Sequence, residues 1–516
     1  MIGCVKNQMM EAMSIDFPSR IQFHAWFMIS DAEDVKQPLP HMELAVGNLL
    51  SLDPELHTYF ASLAQTHGPI FSLRLGTKLG VVISSPALAK EVLKDHDIIF
   101  SNRDIPIAGK LATYGGHNIV WSPYGPTWQL LRKVTVREML GAATLDALYG
   151  IRWQETRQMI WRLSEKAGTK TAVNLGEEVF LVVIRVVTGM LWGGAMGIED
   201  REKIESEFRV AVTKVVRLLG APNISDFFPS LARFDLQGIE KNMRKCAKWL
   251  DEIFEKVIDQ RLRNNREGNE GRKKEQDFLE VLLQLKDDYE GEGNGKVSFS
   301  MTHVKSLLMD MVVGGTDTTS NTVELAMAEI MNKPEVLKKI QQELDTVVGR
   351  DSIVEEHHIY KLPYLQAVMK EALRLHPVLP LLVPHSPSES CIVGGYTIPK
   401  GSRVFINVWA IHRDPTIWTD PSKFDPERFL SAKIDFRGND DFNFLPFSSG
   451  RRICAGIGMA EKMVLFSLAS MLHSFNWKLP EGEQLNIQEK FGIVMSLRKP
   501  LLAIPECRLS SPSLYE

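Results

Sequence analysis

The amino-acid sequence predicts a mainly α fold with small β-sheets. Apolar residues at helical spacing dominate residues 150–260, which indicates several long amphipathic helices. One further helix is predicted to run from Met301 to Asn332 and to end before Pro334. Strand patterns are short and few, and they begin with a hairpin around Gly76-Thr77-Lys78. The sequence therefore predicts a helical molecule to which strands contribute only small sheets.

Composition describes an ordinary globular chain without a strong charge bias. Of its 516 residues, 44% are hydrophobic and 24% are charged, and 60 Lys and Arg oppose 64 Asp and Glu. The net charge of −4 argues against nucleic acid as a partner. The absence of C-x-x-C spacing indicates a reducing compartment, no disulfide framework and no zinc site. The five scattered cysteines are Cys4, Cys246, Cys391, Cys454 and Cys507.

The elements before the long helix follow from turn and capping signals. A first helix is predicted to open at Asp53-Pro54 and to end at Gly68-Pro69. Residues 101–121 are loop-rich, and two polar, glycine-containing loops flank a short helix further along. In chain order the predictions are a helix over 53–67, strands over 70–75 and 79–84, a helix over 86–94, a loop over 264–276, a helix over 277–286 and a loop over 287–296.

Polar residues interrupt the middle of the long helix. Gly314-Gly315 is followed by Thr316-Asp317-Thr318-Thr319, a poor composition for a helix interior. Hydroxyl groups there can open the backbone hydrogen bonds of the helix or kink it. A composition that destabilises a helix in the middle of the core suggests that the segment has a function. The alternative is a kinked structural helix whose threonines cap backbone groups.

A ten-residue segment near the carboxyl terminus has the pattern F-x-x-G-x-R-x-C-x-G, from Phe447 to Gly456. It precedes a predicted helix over residues 457–475, so Cys454 lies just before a helix start. The N–H groups there stabilise an anionic sulfur, and Gly450 and Gly456 permit tight turns beside a flat ligand. Arg452 can pair with an anionic group. The alternative is a buried, inert cysteine in a glycine-rich loop.

This segment resembles the haem-binding signature of the cytochrome P450 family. The resemblance implies haem b as cofactor, Cys454 as the axial ligand of its iron, and Phe447, Gly450, Arg452 and Gly456 as further cofactor-binding residues. The glycine–threonine stretch of the long helix resembles the oxygen-binding groove of that family. The resemblance assigns catalytic roles to Thr318, beside the bound dioxygen, and to Asp317, which feeds it protons.

The same resemblance implies a cofactor-binding role for two further segments. Trp128 and Arg132, at i and i+4, share one helix face and can reach one anionic partner. In the family this helix binds a haem propionate; the alternative is a packed Trp beside an unrelated exposed Arg. His385 stands where the family commonly has a propionate-binding Arg, so the resemblance implies at most one hydrogen bond from it.

A structural role is predicted for the E-x-x-R pair Glu371 and Arg374. Alone, such a pair at i and i+3 is a weak signal. The resemblance joins it to Arg428 in a buried network that holds the loop leading to the cysteine.

The substrate pocket implied by the resemblance is mostly aliphatic. Residues 224–231 correspond to the roof of the pocket, where Phe227, Phe228 and Leu231 are either membrane-facing or core residues. The candidate pocket residues are Ile107, Leu111, Val120, Val313, Leu381, Leu382, Val383, Ile493 and Val494.

Residues 46–516 are expected to form one P450 catalytic domain. Residues 1–45 occupy the anchor and hinge position, yet residues 1–40 contain no run of about 18 apolar residues and no framed signal peptide, so no transmembrane helix is predicted. The resemblance nevertheless implies the cytosolic face of the endoplasmic reticulum membrane.

The chain resembles the plant A-type group in particular, through segments such as residues 120–126 and 394–399. The resemblance implies a haem-thiolate monooxygenase that inserts one oxygen atom from O2 into a small apolar plant metabolite, with a terpenoid favoured and a flavonoid or other phenolic next. Electrons are expected from NADPH–cytochrome P450 reductase. Basic residues of this chain such as Lys133 and Arg137 can assist the docking of that acidic partner. Two alternatives remain open: a haem-thiolate isomerase or dehydratase acting on a hydroperoxide, and a non-catalytic haem-binding protein.

Overall fold

The computed structural model describes residues 47–193, 198–266, 277–291, 298–431, 434–436 and 441–516. The predicted amino-terminal segment 1–45 and, from the two predicted polar loops, residues 267–276 and 292–296 lie outside these residues. Within them, no helix combines the length and the apolar character that crossing a membrane requires.

Helices account for most of the described chain. In chain order they are α1 (Leu56–His67), α2 (Pro86–Lys90), α3 (Asp97–Phe100), α4 (Ile107–Ala112), α5 (Pro126–Val134), α6 (Ala142–Ala147), α7 (Tyr149–Thr169), α8 (Leu175–Trp192), α9 (Ile198–Leu219), α10 (Ile224–Phe227), α11 (Ile239–Arg266), α12 (Phe278–Gly291), α13 (Met301–Asn332), α14 (Pro334–Val347), α15 (Pro363–Leu375), α16 (Val408–Ile411), α17 (Arg428–Ser431) and α18 (Ile457–Ser474). Short 3₁₀ turns cover Asn48–Leu50, Pro229–Phe234, Glu356–Lys361, Gly450–Arg452 and Pro512–Tyr515, and π turns cover Glu91–Asp95 and Thr135–Met139.

The long helix α13 has the predicted bounds and lies at the centre of the packing. It packs most extensively against α8 and also against α15 and α18. Helix α8 differs from its amphipathic prediction, because nearly all of its residues from Val179 to Trp192 are buried. The reason is its position, since α7, α9, α12 and α13 all pack against it and cover it after its first turn.

Strands form small sheets, as predicted. The bounds are β1 (Ile70–Leu75), β2 (Lys78–Ile83), β3 (Val173–Asn174), β4 (Cys391–Val393), β5 (Tyr396–Ile398), β6 (Arg403–Ile406), β7 (Phe475–Lys478), β8 (Glu489–Lys490), β9 (Ser496–Leu497) and β10 (Leu502–Cys507). The hairpin β1–β2 pairs antiparallel, with Leu75 opposite Lys78, and β6 adds to β2 in parallel. The other sheets are β3-β10-β7, β4-β5 and β8-β9.

Gly76 shows why the hairpin turn needs glycine. Its φ is +60°, and a Cβ atom there would lie 2.7 Å from the carbonyl oxygen of Phe227. Thr77 fixes the same contact, since its N–H and its hydroxyl both donate to that oxygen at 3.0 and 2.9 Å. Phe227 is therefore a core residue beside the hairpin, whereas Leu231 is exposed.

Helix boundaries differ from the predictions where side chains redirect the backbone. Helix α1 begins at Leu56 rather than at Asp53, because the Asp53 carboxylate accepts from the N–H of Glu55 at 2.8 Å and forms a turn ahead of the helix. The helix predicted over 86–94 is α2 continued by the π turn Glu91–Asp95.

A buried charge cluster joins several elements around Glu489. His376, at the end of α15, lies 2.5 Å from Glu489 through Nδ1 and 2.8 Å from Glu329 of α13 through Nε2. Burial opposes the imidazolium, but these hydrogen bonds outweigh it and raise the pKa of His376 above its usual 6.5. Burial likewise opposes the Glu489 carboxylate, but His376, His57 and Arg413 hold its pKa well below 4.5.

We expect His376→Gln to destabilise the protein most between the ordinary pKa of glutamate, 4.5, and the ordinary pKa of histidine, 6.5. The raised pKa of His376 stabilises the fold below 6.5, and that contribution is lost as the pH rises through the folded-state pKa. The carboxylate of Glu489 sets the acidic limit of this range. Its lowered pKa stabilises the fold above pH 4.5, and that stabilisation is lost as the pH falls below 4.5. Urea unfolding of both proteins across this range measures the difference; a difference constant from pH 5 to pH 9 would contradict the expectation.

Candidate functional site

The loop that carries Cys454 is shaped by close backbone contacts. Gly450 has φ +68°, and a Cβ there would lie 2.1 Å from the carbonyl oxygen of Leu93, so only glycine fits. The N–H of Cys454 donates to the Phe447 carbonyl at 3.0 Å, which closes the loop. The N–H of Gly456, at the start of α18, donates to the Cys454 sulfur at 3.3 Å. The loop thus places the sulfur at a helix N-terminus, as the sequence predicts.

The Cys454 side chain is solvent-accessible within a protein environment that desolvates it. Burial raises the pKa of the thiol, while the Gly456 N–H and the charge of Arg132 favour the thiolate. Coordination to a metal ion requires the thiolate, and the metal supplies the missing stabilisation. An accessible sulfur with a backbone donor and one nearby cation therefore fits a haem iron.

Arg452 ties this loop to the residues that follow α3. Its guanidinium donates to four backbone carbonyls, those of Ser101 at 2.6 Å, Ile119 at 2.9 Å, Val120 at 3.5 Å and Ser122 at 2.5 Å. It also lies over the ring of Trp128, with its carbon 4.6 Å from the ring centroid. Burial lowers the pKa of Arg452 to about 10.

Trp128 and Arg132 meet the Cys454 loop as well. The indole N–H of Trp128 donates to the Ile119 carbonyl at 2.9 Å, and Arg132 donates to the Ile453 carbonyl at 2.6 Å. The structure therefore brings Trp128, Arg132 and Arg452 together beside Cys454. Their first partners here are backbone carbonyls, so propionate binding by them stays a prediction.

His385 is buried, and its Nδ1 lies 2.8 Å from the Phe100 carbonyl, which can only accept. Nδ1 therefore carries the proton, and the buried Nε2 has no hydrogen-bond partner among the described residues. Burial and the charges of Arg103 and Arg452 lower the pKa of His385 well below its usual value. Donation from Nε2 to a propionate needs the protonated ring, and the predicted role of His385 stays untested.

Arg103 is a candidate cofactor-binding residue that sequence reasoning missed. Its guanidinium donates to the Val383 carbonyl, and its buried Nε–H has no partner in the described structure. Burial and the nearby Arg452 lower its pKa well below the usual value. The donors of Arg103 and Arg452 thus suit an anionic ligand such as a carboxylate, whereas the unprotonated Nε2 of His385 beside them can only accept. No motif surrounds Arg103, and only its place in the loop-rich residues 101–121 pointed to the pocket.

The middle of α13 presents an open face in an otherwise buried helix. Gly314 is exposed, Val313 and Thr318 are half-buried, and a Cβ on Gly314 would meet no atom within 4 Å. The Thr318 hydroxyl donates to the Gly314 carbonyl at 2.8 Å. Thr316 and Thr319 donate in the same way to the carbonyls four residues earlier, and the helix continues through them. A ligand can therefore approach the helix backbone beside Thr318.

Asp317 points away from solvent and has an unusual protonation equilibrium. It is buried, and burial raises the pKa of its carboxyl to about 6, with Arg209 acting in the opposite direction. Arg209 is partly exposed and pairs with Glu177 at 2.7 Å. A carboxyl with this pKa exchanges its proton near neutral pH, which is what a proton relay needs.

Asp317 belongs to a row of acidic residues that the sequence displays. Asp310, Asp317 and Glu324 recur every seven residues on α13 and are all buried. The carboxylates of the first and the last accept hydrogen bonds from the backbone. The N–H of Ile119 donates to Asp310 at 2.8 Å, and the N–H of Leu501 donates to Glu324 at 2.9 Å. The spacing of seven residues places the three acids on one face of the helix, and the structure shows that this face is buried.

Glu371, Arg374 and Arg428 lie together in the interior. Arg374 donates to the Glu371 carboxylate at 2.7 and 2.9 Å, and both side chains are fully buried. Arg428 donates to Glu371 at 3.1 Å. Arg374 further donates to the carbonyls of His412 and Pro421, at 2.7 and 2.8 Å. The network thus joins α15 to the segment that leads toward the Cys454 loop.

The predicted pocket residues divide into three groups. The first packs around the largest core cluster and includes Leu111, Val313, Ile493 and Val494, which are half-buried. Leu381 and Leu382 are buried in two separate core clusters, so the structure does not group them with Val313. Ile107, Val120 and Val383 are half-buried outside the largest cluster.

Comparison with known proteins gives the same assignment over most of the chain. The sequence profile of the family "Cytochrome P450" matches residues 37–504. Flavonoid 3'-monooxygenase CYP75B137 of Crocosmia x crocosmiiflora is 38% identical over 482 residues, which are 92% of each chain. Carnosic acid synthase of Salvia fruticosa is 39% identical over 468 residues, 89% of this chain and 91% of that enzyme.

A solved structure extends the likeness from sequence to fold. A zebra fish cytochrome P450 with progesterone superimposes with a TM-score of 0.74 at 26% identity, covering 89% of this chain and 100% of that one. The profile match, the plant relatives and the shared fold cover the same region as the Cys454 loop and α13. The chain belongs to the cytochrome P450 family and is a P450 monooxygenase.

Proposed function

We propose that this protein inserts one oxygen atom from O2 into a small apolar plant metabolite, with electrons from NADPH–cytochrome P450 reductase. The observation that supports it most is Cys454, whose accessible sulfur accepts an N–H from the start of α18. Residues 46–516 would form the catalytic domain, and residues 1–45 would lie at the position of a membrane anchor. The location that follows by family resemblance is the cytosolic face of the endoplasmic reticulum.

The family's cofactor is haem with a cysteine thiolate as iron ligand. We assign Cys454 as that ligand. Gly450 would shape the loop through its close contact with Leu93, and Gly456, where a Cβ would meet only the Cys454 sulfur at 3.8 Å, would leave room for the macrocycle. The cations Arg103, Arg132 and Arg452 would offset the charge of the propionates. When bound, thiolate-ligated haem supplies the activation of O2 that no side chain can provide.

The chain's own residues would position the substrate and move protons. Gly314 leaves the backbone of α13 accessible beside the reaction centre. The Thr318 hydroxyl donates its proton to the Gly314 carbonyl, so its oxygen remains free to accept a proton or a hydrogen bond from the open face. Asp317, with a pKa of about 6, would hold and release the proton that this hydroxyl passes on. The apolar walls would exclude other water.

Thr318→Ala tests this relay. We expect the yield of product per NADPH to fall about tenfold or more, because a general acid–base group contributes roughly 10²–10⁴-fold and water replaces it only in part. More of the reducing equivalents should appear as hydrogen peroxide. Thr319→Ala is the matched control, since Thr319 makes the same type of bond to Gly315 but is buried away from the open face. Equal coupling in Thr318→Ala and the wild type would remove Thr318 from the relay.

A terpenoid is the favoured substrate, with a flavonoid or other phenolic next. The half-buried pocket residues Leu111, Val313, Ile493 and Val494 are all aliphatic, which suits a hydrocarbon skeleton. The named relatives include both a flavonoid 3'-monooxygenase and carnosic acid synthase, so relationship alone favours neither class.

The reductase would dock on the side of the Cys454 loop. There an open hollow of about 340 Å³ is lined by Trp128, Gln129, Arg132, Lys133, Val136 and Arg137. Lys133 and Arg137 are exposed and present positive charge to an acidic partner. On another surface, exposed Leu231, Phe234 and Leu236 would contact the membrane.

The deciding experiment is turnover with purified reductase, NADPH and ¹⁸O-labelled O2 on terpenoid and flavonoid panels. We expect one ¹⁸O atom per product and NADPH-dependent turnover. Conversion of a hydroperoxide without NADPH would instead assign an isomerase or dehydratase. Haem binding without product or NADPH consumption on any panel member would favour a non-catalytic haem protein.

A further inference from the structure

Asp310 is a buried carboxylate of the central helix that the proposed chemistry does not use. Its two oxygens accept from the side-chain amide of Asn118 at 2.5 Å and from the N–H of Ile119 at 2.8 Å. Asn118 is 1% exposed and Asp310 is 7% exposed, so water cannot replace either partner. Burial raises the pKa of Asp310 to about 7, which shows how strongly the site is desolvated.

Ile119 links Asp310 to the residues beside the Cys454 loop. Its N–H is held by Asp310, while its carbonyl accepts from the Trp128 indole at 2.9 Å and from Arg452 at 2.9 Å. Arg452 lies two residues before Cys454 in the same loop. One residue thus connects the distal helix α13 to the group of cations beside the iron ligand.

The described hydrogen bonds that join the loop around Ile119 to α13 all go to Asp310. Within the loop, the Trp121 N–H donates to the Asn118 side chain at 2.9 Å, and the Ser122 hydroxyl donates to the Gly116 carbonyl at 2.9 Å. These bonds hold the loop together but do not attach it to α13. Asp310 makes that attachment, since it takes up both the Asn118 amide and the Ile119 N–H.

We propose that Asp310 is a positioning residue for the haem site: by holding Asn118 and Ile119 against α13, it fixes the carbonyl that orients Trp128 and Arg452. The proposal rests on the haem assignment of the Cys454 loop. Loss of the carboxylate would release Ile119, let the guanidinium of Arg452 move relative to the iron, and change the electrostatic field that sets the iron's reduction potential.

Asp226 of α10 provides a matched control, because it also binds a backbone N–H of the loop-rich residues 101–121. Its carboxylate accepts from the N–H of Ile107 at 2.8 Å, and burial raises its pKa as well. It therefore anchors the start of the loop-rich residues as Asp310 anchors their end. Ile107 makes no described hydrogen bond to Trp128 or Arg452, so Asp226 lacks the connection to the cofactor side.

The test uses the haem-loaded full chain and its Asp310→Asn and Asp226→Asn variants. Asparagine keeps the size of the side chain but faces one of the two N–H donors with its own NH2 group. We expect amide hydrogen exchange in residues 113–122 to rise about tenfold in Asp310→Asn, and the reduction potential of the iron to move from the wild-type value. In Asp226→Asn, faster exchange should be confined to residues near 107, and the potential should stay unchanged.

Two results would overturn the proposal: unchanged exchange in residues 113–122 of Asp310→Asn, or faster exchange with an unchanged potential. If Asp310→Asn does not load haem, Asn118→Asp decides the matter, because it keeps an acceptor for the Trp121 N–H but replaces the NH2 group that donates to Asp310 by an oxygen, and it must change both readouts in the same direction. Exchange measured without haem reports the loop contact by itself. A wild type with no thiolate-type spectrum would therefore reject the haem assignment while leaving the loop measurement informative.

Discussion

Cys454→Ser is expected to abolish the strongly red-shifted Soret band of the reduced, carbon-monoxide-bound protein. Serine is nearly isosteric, but its hydroxyl does not become the soft anionic ligand that donates electron density to iron. Turnover should fall by more than the roughly 10–100-fold that loss of an outer partner of a metal site costs. The loop itself should survive, because its shape depends on the Gly450 contact with Leu93 and on the Cys454 N–H bond to Phe447.

Cys507→Ser is the control for this variant. Cys507 is also a free, exposed cysteine, but it lies in β10 and outside the Cys454 loop. Its substitution should leave the spectrum of the carbon-monoxide complex as in the wild type. A wild-type spectrum in Cys454→Ser would show that another residue ligates the iron, and the function proposed here would lose its main support.

Glu371→Gln should destabilise the fold by about 3–5 kcal/mol, because it leaves the fully buried guanidinium of Arg374 and the half-buried one of Arg428 without their shared carboxylate. Arg374 and Glu371 are both fully buried, so solvent cannot screen the unpaired charge. Arg374 also fixes the carbonyls of His412 and Pro421, and its displacement should spread to the segment that precedes the Cys454 loop. We therefore expect lower haem content, measured as the ratio of Soret to protein absorbance, together with a lower urea midpoint.

Lys339→Ala supplies the comparison, since it removes one partner of an exposed ion pair near the same region. Lys339 pairs with Glu427, and the two side chains are 53% and 48% exposed. Such pairs contribute about 0–1 kcal/mol, so haem content and the urea midpoint should change little. Equal effects of Glu371→Gln and Lys339→Ala would mean that the buried network does not hold the cysteine segment.

Local sequence patterns were sufficient for the elements that have a regular period or a steric requirement. The helix Met301–Asn332 and the hairpin at Gly76 were predicted because apolar spacing and glycine turns report backbone conformation directly. The amphipathic prediction for α8 failed because the period describes one helix, whereas burial depends on how many neighbours surround it. The start of α1 was misplaced because a single hydrogen bond, from Glu55 to Asp53, decided it.

By itself, the sequence determined the mainly α fold, the family and the cysteine loop, since each depends on residue types at fixed short spacings. Only the tertiary structure decided which side chains meet. Arg452 reaches the carbonyl of Ser101 across 351 positions, and Asp310 reaches Asn118 across 192. Arg103, Asp310 and His376 acquired their significance in the same way. Such contacts depend on packing and on the satisfaction of buried polar groups between distant segments, which no local pattern encodes.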